Sequence, residues 1–132
     1  MKLGFTGTRK GMTQVQELKL LEFLLIRGPF DEFHHGDCVG ADAQAHEIVR
    51  SCTLNCRIVV HPSSLASMRA RCEGDLILEP KHPLVRNSDI VEAVDILVAT
   101  PANSTENSRS GTWATIRRAY KRKLEVVILP AI

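Results

Sequence analysis

The sequence predicts an α/β domain in which helices cover both faces of a mostly parallel sheet of about five strands. Short apolar runs that contain β-branched residues alternate along the chain with stretches of helical period. The apolar runs are continuous rather than alternating, which is typical of strands buried on both faces of a parallel sheet. No linker, repeat or low-complexity segment interrupts this order, so we expect residues 1–132 to form one domain.

Capping residues and helix breakers predict where the elements begin and end. Thr13 and Gln16 form a capping box for the first helix, and Gly28-Pro29 ends it. Ser110 is the candidate N-cap of the last helix. The predicted strands cover 3–6, 30–35, 57–60, 96–99 and 126–129, and the predicted helices cover 13–27, 41–52, 84–93 and the stretch after 110.

Residues 63–83 form the one long stretch without a clear pattern. It contains one possible helical turn, over 66–71, followed by an irregular segment. A loop of this length in a small domain is usually functional or covers a site.

Composition restricts the classes of function. With 44% apolar and 24% charged residues and a net charge of +2, the chain resembles an ordinary globular protein and has no field that would attract nucleic acid. The four cysteines show no CxxC spacing, and the chain has neither a signal-peptide core nor an apolar run of membrane-spanning length. We therefore expect a cytoplasmic protein with reduced thiols and no membrane segment.

The first helix has more apolar residues than one buried face requires. A helix that covers one face of a sheet needs a single apolar stripe. Here more than one face is covered, by Val15, Leu18, Leu20, Leu21, Phe23, Leu24, Leu25 and Ile26. The excess indicates either deep burial or a subunit interface. We predict a homodimer through this helix, with Leu20, Phe23 or Leu24 near the contact.

Three turns of small residues follow predicted strands, at 7–11, 36–42 and 110–112. Because the carboxyl ends of parallel strands meet at one edge of a sheet, these turns are expected to converge where ligands bind in such folds. The last turn begins a helix, whose free N–H groups and dipole favour an anion. Arg109, directly before it, adds donors suited to phosphate. Together these features indicate a nucleotide-sized ligand.

Each candidate ligand residue also has a structural explanation. Arg9 and Arg109 could be solvated surface cations, and Arg86 and Asn87 could face solvent instead of the ligand. The two acids of the second turn could hold ribose hydroxyls or cap the following helix. The predicted ligand- and phosphate-binding residues are Gly7, Thr8, Arg9, Gly36, Asp37, Gly40, Asp42, Arg86, Asn87, Arg109, Ser110, Gly111 and Thr112.

A metal site is a weaker interpretation of the histidines. The potential ligands are His34, His35, Asp37, Cys38 and His46. However, His34 and His35 point to opposite faces of a strand, whereas zinc needs three or four convergent ligands. The Pro-Cys-x-x-Cys motif of zinc deaminases is also missing. We expect no metal and no cofactor.

Four motifs together resemble the SLOG superfamily of Rossmann-like domains, which includes the DNA-processing protein DprA and the LONELY GUY (LOG) phosphoribohydrolases. They are Gly7-Thr8-Arg9-Lys10-Gly11-Met12, His35-Gly36-Asp37-Cys38-Val39-Gly40-Ala41-Asp42, Arg86-Asn87-x-Asp89-Ile90 and Arg109-Ser110-Gly111-Thr112-Trp113-Ala114-Thr115. Among them, the chain resembles small stand-alone bacterial and phage members. The resemblance implies a Rossmann-like fold and a nucleotide or nucleotide-derived ligand.

One departure from the LOG pattern concerns catalysis. LOG enzymes carry Pro-Gly-Gly-x-Gly-Thr followed by a glutamate that takes part in cleaving the N-glycosidic bond, and Thr115 stands in its place here. Threonine cannot supply a carboxylate to an oxocarbenium-like transition state. The resemblance therefore implies the phosphate-binding turn without that catalytic group.

Three hypotheses of function follow. The first is a nucleotide-binding sensor or accessory module. The second is a nucleoside 5′-monophosphate N-glycosidase that takes its carboxylate from Glu106, Asp37 or Asp42. The third, a DprA-like binder of single-stranded nucleic acid, is disfavoured by the low net charge and by the few aromatic residues available for base stacking, which are four phenylalanines, one tryptophan and one tyrosine.

Overall fold

The computed structural model describes residues 1–53, 55–103, 105–106 and 110–132. Along the described chain, the elements are β1 (Lys2–Gly7), α1 (Gln14–Arg27), β2 (Glu32–His35), α2 (Ala41–Cys52), β3 (Arg57–Val60), β4 (Leu76–Ile77), α3 (Pro83–Ala93), β5 (Ile96–Thr100), α4 (Gly111–Lys121) and β6 (Glu125–Ile128). The six strands form one sheet in the order β4-β3-β2-β1-β5-β6, and all pairings between neighbouring strands are parallel. The predicted three-layer α/β fold is confirmed.

The strand order places two helices on each face of the sheet. The chain moves from β1 towards β4 and then returns to β5 and β6. With right-handed crossovers, α1 and α2 therefore cover one face, and α3 and α4 cover the other. The contacts between helices support this arrangement, since α1 packs against α2 and α3 packs against α4. The direction of winding changes between β1 and β5, which is the place where such folds open a cleft.

The central strands have a hydrophobic core on each side. On the face of α1 and α2, Phe5, Phe33 and Ile58 are buried in one large apolar cluster. On the opposite face, Leu97 packs with Val91 and Ala119 of the other two helices. β5 is buried along its whole length, which explains why its sequence is a continuous apolar run.

The first helix begins with the predicted capping box but does not expose the predicted contact residues. The Thr13 hydroxyl accepts the Gln16 backbone N–H, and the Gln16 side chain accepts the Thr13 N–H. Leu20, Phe23 and Leu24 are at most 9% exposed within the single chain. Placing them at a dimer contact was therefore wrong, because they form the core stripe of α1. The exposed apolar side chains of α1 are Val15, Leu18, Leu25 and Ile26.

The segment 63–83 supplies a sixth strand that the sequence pattern did not predict. Ala66–Met68 form one 3₁₀ turn, and Leu76–Ile77 pair with the end of β3. A strand of two residues is too short to show any periodicity. No helix in the described part of the chain combines the length and the apolar character needed to cross a bilayer.

Candidate ligand-binding site

A cavity of about 480 Å³ opens at the carboxyl ends of β1, β2 and β5. All three predicted turns contribute to its wall, and α3 closes it on the side of the second helical layer. The convergence follows from the parallel sheet, because β2 and β5 are the two neighbours of β1. The predicted residues that line the cavity are Gly7, Thr8, Arg9, Gly36, Asp42, Arg86, Asn87, Ser110, Gly111 and Thr112.

Gly40 shapes this cavity without lining it. Its φ is +94°, and a Cβ at this position would collide with the backbone of Arg9. The following residue, Ala41, donates its N–H to the Thr8 carbonyl at 3.0 Å. Glycine is therefore needed here both for the backbone conformation and for the close contact between the first two turns.

Asp37 lies outside the cavity wall and has a structural role. Its side chain is fully buried, and its carboxylate accepts hydrogen bonds from Arg69 Nε at 3.1 Å and the Cys72 N–H at 2.8 Å. Its backbone carbonyl also accepts the Ala70 N–H at 2.7 Å. Both carboxylate oxygens therefore accept hydrogen bonds that hold the segment 63–83 against the turn after β2. Asp37 does not present these oxygens to a ligand in this cavity.

The segment 63–83 forms part of the cavity wall. The Val39 N–H donates to the Met68 carbonyl at 3.1 Å, and both side chains line the cavity. The long segment that lacked a sequence pattern thus covers one side of the site. Met68 of this segment and Val39 of the turn after β2 give that side an apolar surface suited to a flat, weakly polar group.

Arg86 places a buried positive charge in the cavity wall. The residue is 5% exposed, and its guanidinium donates to the Gly36 carbonyl, to the His61 carbonyl at 3.4 Å and to Asn87 Oδ1 at 2.8 Å. None of the ion pairs among the described residues includes Arg86. Its hydrogen-bond acceptors are neutral, and the Asp42 carboxyl across Gly36 is the nearby acidic group, so an anion in the cavity would add to the stabilisation of this buried charge.

Asp42 is the acidic residue of the cavity wall. It is 5% exposed, and its Oδ2 accepts the Cys38 N–H at 3.1 Å. Its Oδ1 is buried and has no hydrogen-bond partner within the described residues. Burial raises the pKa of Asp42 from 3.8 to about 6, although the Cys38 N–H and the charge of Arg86 act in the opposite direction. The side chain does not cap α2, which begins after Gly40 without a side-chain cap.

The N-terminus of α4 forms the third side of the cavity. The Ser110 hydroxyl accepts the Trp113 N–H at 3.3 Å, as the predicted N-cap. A Cβ added to Gly111 would meet no described atom within 4 Å, so this backbone is open to an approaching group. Thr115 also lines the cavity, and its hydroxyl donates to the Gly111 carbonyl at 3.0 Å.

Two predicted residues of this region are not part of the described wall. Arg109 lies outside the described residues. Glu106 is exposed, does not line the cavity and forms an ion pair with Arg117 at 2.6 Å. Of the three candidate carboxylates, the cavity therefore contains Asp42 and neither Glu106 nor Asp37.

Several wall residues were missed by the sequence analysis. Lys10 lies beside Arg9 in a loop bounded by glycines, and this position was a usable signal. Met68 and Ile90 are apolar, and nothing in their local sequence distinguishes them from core residues. The other missed wall residues are Phe5, Thr6, Cys38, Val39, Ala102 and Thr115, the last of which was considered only as a departure from the LOG motif.

The histidines form two separate pairs on opposite faces of β2, as the alternation of the strand predicts. His34 bonds to His61 at 2.8 Å, and His35 bonds to His46 at 2.9 Å. Potential ligand atoms of His35, His46 and Cys72 lie within 4.8 Å of one another. However, His35 Nδ1 accepts the Asp37 N–H at 3.0 Å, so Nε2 carries the proton and offers no lone pair to a metal in this tautomer.

No protein-family model matches the chain, and the search of curated proteins found no match. Solved structures share its architecture. The molybdenum cofactor binding protein from the phototrophic bacterium Rippkaea orientalis superposes with a TM-score of 0.68 at 15% identity, over 96% of this chain and 74% of that chain. TM1055, a structural genomics target, superposes with a TM-score of 0.65 at 15% identity, over 95% of this chain and 71% of that chain.

At this level of identity the likeness shows the fold alone. The chain has a Rossmann-like fold, and one of its structural neighbours with that fold is a cofactor-binding protein.

Proposed function

We propose that this protein binds a nucleotide or nucleotide-derived ligand at the carboxyl edge of its sheet, as a ligand sensor or accessory module. The observation that carries the proposal is the buried guanidinium of Arg86, which lies in the cavity wall and forms none of the ion pairs found among the described residues, although the Asp42 carboxyl lies nearby across Gly36. The open N-terminus of α4 lines the same cavity. Both features stabilise an anion. The resemblance to SLOG domains supports a nucleotide as that anion.

The cavity wall suggests how such a ligand would be held. The phosphate would accept hydrogen bonds from the backbone N–H groups of the turn at 110–112. The exposed cations Arg9 and Lys10 would attract it at the opening of the cavity. The base would lie against the apolar side chains of Val39 and Met68. This arrangement separates the charged and the apolar ends of a nucleotide, which is the usual pattern in small-molecule sites.

A nucleotide N-glycosidase is the second candidate, and Asp42 is the observation in its favour. It is the carboxyl group of the cavity, and its Oδ1 is free of protein hydrogen bonds in the described structure. Thr115 occupies the wall where the LOG pattern has its glutamate, and it offers only a hydroxyl that is already bonded to Gly111. The absence of a carboxyl there makes binding without hydrolysis the first choice.

A thermal-shift screen against nucleoside 5′-mono-, di- and triphosphates tests the proposal. A ligand that binds only the folded state raises the unfolding temperature in proportion to the logarithm of its concentration. Lys10→Ala should reduce that rise because it removes a cation at the cavity, whereas Lys19→Ala removes an exposed cation of α1 and should leave it unchanged. If no nucleotide raises the unfolding temperature at millimolar concentration, the proposal is wrong.

We also propose that the protein is a homodimer through the outer face of α1. Leu18, Leu25 and Ile26 are 60%, 66% and 72% exposed, and burying apolar surface of this size on a partner copy is favourable.

A further inference from the structure

We propose that a second cavity, at the carboxyl ends of β3 and β4, binds a small zwitterion of the α-amino-acid type. This second cavity has a volume of about 280 Å³. Among the described residues, Arg86 is the one that lines both this cavity and the first cavity, which the three turns surround. The inference does not rest on the proposed function, because its other residues lie outside the wall of the first cavity.

Backbone hydrogen bonds hold the wall of the second cavity in place. The Leu78 N–H donates to the Val60 carbonyl at 3.0 Å, and the Lys81 N–H donates to the Pro62 carbonyl at 3.1 Å. The segment between β4 and α3 is thus fixed to the end of β3, so the cavity exists before a ligand binds. Its volume lies just below the range of about 300–1,000 Å³ that is usual for sites of drug-sized molecules, which favours a small metabolite.

His61 supplies an unused hydrogen-bond acceptor to this cavity. Its Nε2 bonds to His34 Nδ1 at 2.8 Å, and His34 Nε2 bonds to Glu32 Oε1 at 2.8 Å. Burial lowers the pKa of both imidazoles, that of His61 to about 4, so both rings are neutral at pH 7. Because the carboxylate accepts the His34 Nε2–H, His34 Nδ1 is an acceptor and His61 Nε2 is its donor. His61 Nδ1 therefore keeps its lone pair.

This Nδ1 atom of His61 is open to the second cavity. No hydrogen bond among the described residues reaches it, since the ring bonds only through Nε2. The fully buried side-chain atoms without a partner in the described chain belong to Asp42, Thr100 and Trp113. His61 Nδ1 is not one of them, so it has accessible surface, and His61 lines the second cavity but not the first. A donor on a bound molecule would complete its hydrogen bonding.

Charged groups of both signs surround this acceptor. Lys81 and Asp89 line the cavity and form an ion pair at 2.9 Å. The buried Arg86 adds a second cation to the wall, and the exposed Glu79 adds a second acid. The charges of the ion pair and of Arg86 act on the pKa of His61, so these groups lie near its ring. A ligand ammonium would donate to His61 beside Asp89, and a ligand carboxylate would bind Lys81.

A ligand with a single charge fits this wall less well. A simple anion would gain from the two cations but would also lie beside the two acids, and a simple cation would meet the reverse. A zwitterion can place each of its charges beside groups of the opposite sign. Pro62 and Leu78 give the cavity an apolar surface for an uncharged side chain of the ligand. The second cavity therefore favours an amino acid with an apolar side chain.

Isothermal titration calorimetry of the wild-type protein with the common α-amino acids tests this inference. The amino acid that binds most tightly is then compared with two analogues. Its α-carboxamide lacks the carboxylate, and its α-hydroxy acid lacks the ammonium group. Each analogue should bind about 10- to 100-fold more weakly, the range expected for a lost hydrogen bond to a charged group.

Three variants locate the binding. Asp89→Asn and Lys81→Met each remove one charge from the wall and should weaken binding of the amino acid about 10-fold or more. His61→Gln keeps a side-chain N–H for its histidine partner but removes the acceptor, so it should have a similar effect. Glu92→Gln and Lys19→Met are the matched controls, because they remove exposed charges outside the wall and should leave binding unchanged.

The outcomes decide the inference without reference to nucleotides. It is overturned if no amino acid binds at millimolar concentration, or if both analogues bind as tightly as the amino acid. Binding that is unchanged in Asp89→Asn and Lys81→Met would place the ligand elsewhere and would also overturn it. Far-ultraviolet circular dichroism verifies that His61→Gln is folded. If this variant does not fold, the other two decide the question, because their side chains are not deeply buried.

Discussion

The Arg86 guanidinium donates a hydrogen bond to the carbonyl oxygen of Gly36 and thereby joins α3 to the end of β2. The two residues are fifty positions apart in the chain. The same guanidinium bonds to the His61 carbonyl at the end of β3. A buried charge is thus held at the cavity by the backbone oxygens that directly follow two neighbouring strands, β2 and β3.

Gly111→Ala is expected to separate binding from stability. The added methyl group would meet no described protein atom within 4 Å, and alanine favours the helical conformation over glycine by up to about 1 kcal/mol. The variant should therefore unfold at the same or a higher denaturant concentration than the wild type. Nucleotide binding should weaken about tenfold, because the methyl group enters the space of the phosphate. Calorimetry and urea unfolding measure the two effects, and unchanged affinity would contradict the placement of the phosphate.

Arg109→Ala is expected to weaken the binding of a nucleoside monophosphate by about 1.5–3 kcal/mol, the usual contribution of a hydrogen bond to a charged group. This prediction depends on the position of Arg109 directly before the phosphate turn in the sequence. Arg122→Ala is the control, because it removes the same group at the opposite end of α4. Equal losses in both variants would indicate a general effect of charge rather than a contact at the turn.

Asp42→Asn is expected to stabilise the free protein at neutral pH. Burial raises the pKa of Asp42 from 3.8 to about 6, so ionisation costs the folded state roughly 3 kcal/mol relative to the unfolded chain. The neutral amide avoids this cost above pH 6. The gain should shrink as the pH falls from 6 to 3.8, because wild-type Asp42 then becomes protonated in both states.

Urea unfolding of both proteins at about pH 7.5 and about pH 4 measures this difference. Comparison with the wild type at each pH is needed, because other groups titrate as well. His35 and His61 have pKa values lowered by burial to about 3 and about 4, and they destabilise the folded state of both proteins as the pH falls below 6.5. A gain that is the same at both pH values would show that Asp42 does not titrate as described.

The unmodified protein is expected to release no free base from a nucleoside 5′-monophosphate. Thr115 supplies no carboxylate to the cavity. Liquid chromatography after long incubation measures the base, and Thr115→Glu tests whether a carboxylate at this position is enough to start hydrolysis. Release of base by the wild type that is abolished by Asp42→Asn or Glu106→Gln would replace the binder with a glycosidase.

Leu18→Glu is expected to shift a homodimer towards the monomer. Leu18 is 60% exposed on the outer face of α1, so the substitution costs little within one chain but places a charge in an apolar contact. Light scattering at micromolar concentration measures the molecular mass. Lys19→Glu is a control for added negative charge on the same helix. A monomeric wild type would show that this face has no partner copy.

Local sequence was sufficient for the helices and for most of the sheet. The capping pair Thr13 and Gln16, the N-cap Ser110 and the continuous apolar run of β5 each depend on neighbours within a few positions, and the structure confirms all three. The convergence of the three turns followed from one general property of parallel sheets, that their carboxyl ends meet at one edge.

Long-range contacts decided which of the candidate residues face the cavity. Asp37 and Asp42 are five positions apart and chemically alike, yet Asp37 is bonded to Arg69 and Cys72 outside the cavity wall, whereas Asp42 is part of that wall. Packing also decided which apolar residues of α1 are buried and which are exposed. Leu24 and Leu25 are neighbours of the same type, and only packing against the sheet determines that Leu24 is buried and Leu25 exposed. Sequence determines which groups are available at each turn, because propensities and caps act between near neighbours. Tertiary structure decides their partners, because a hydrogen bond or a packed contact needs atoms that distant segments bring together.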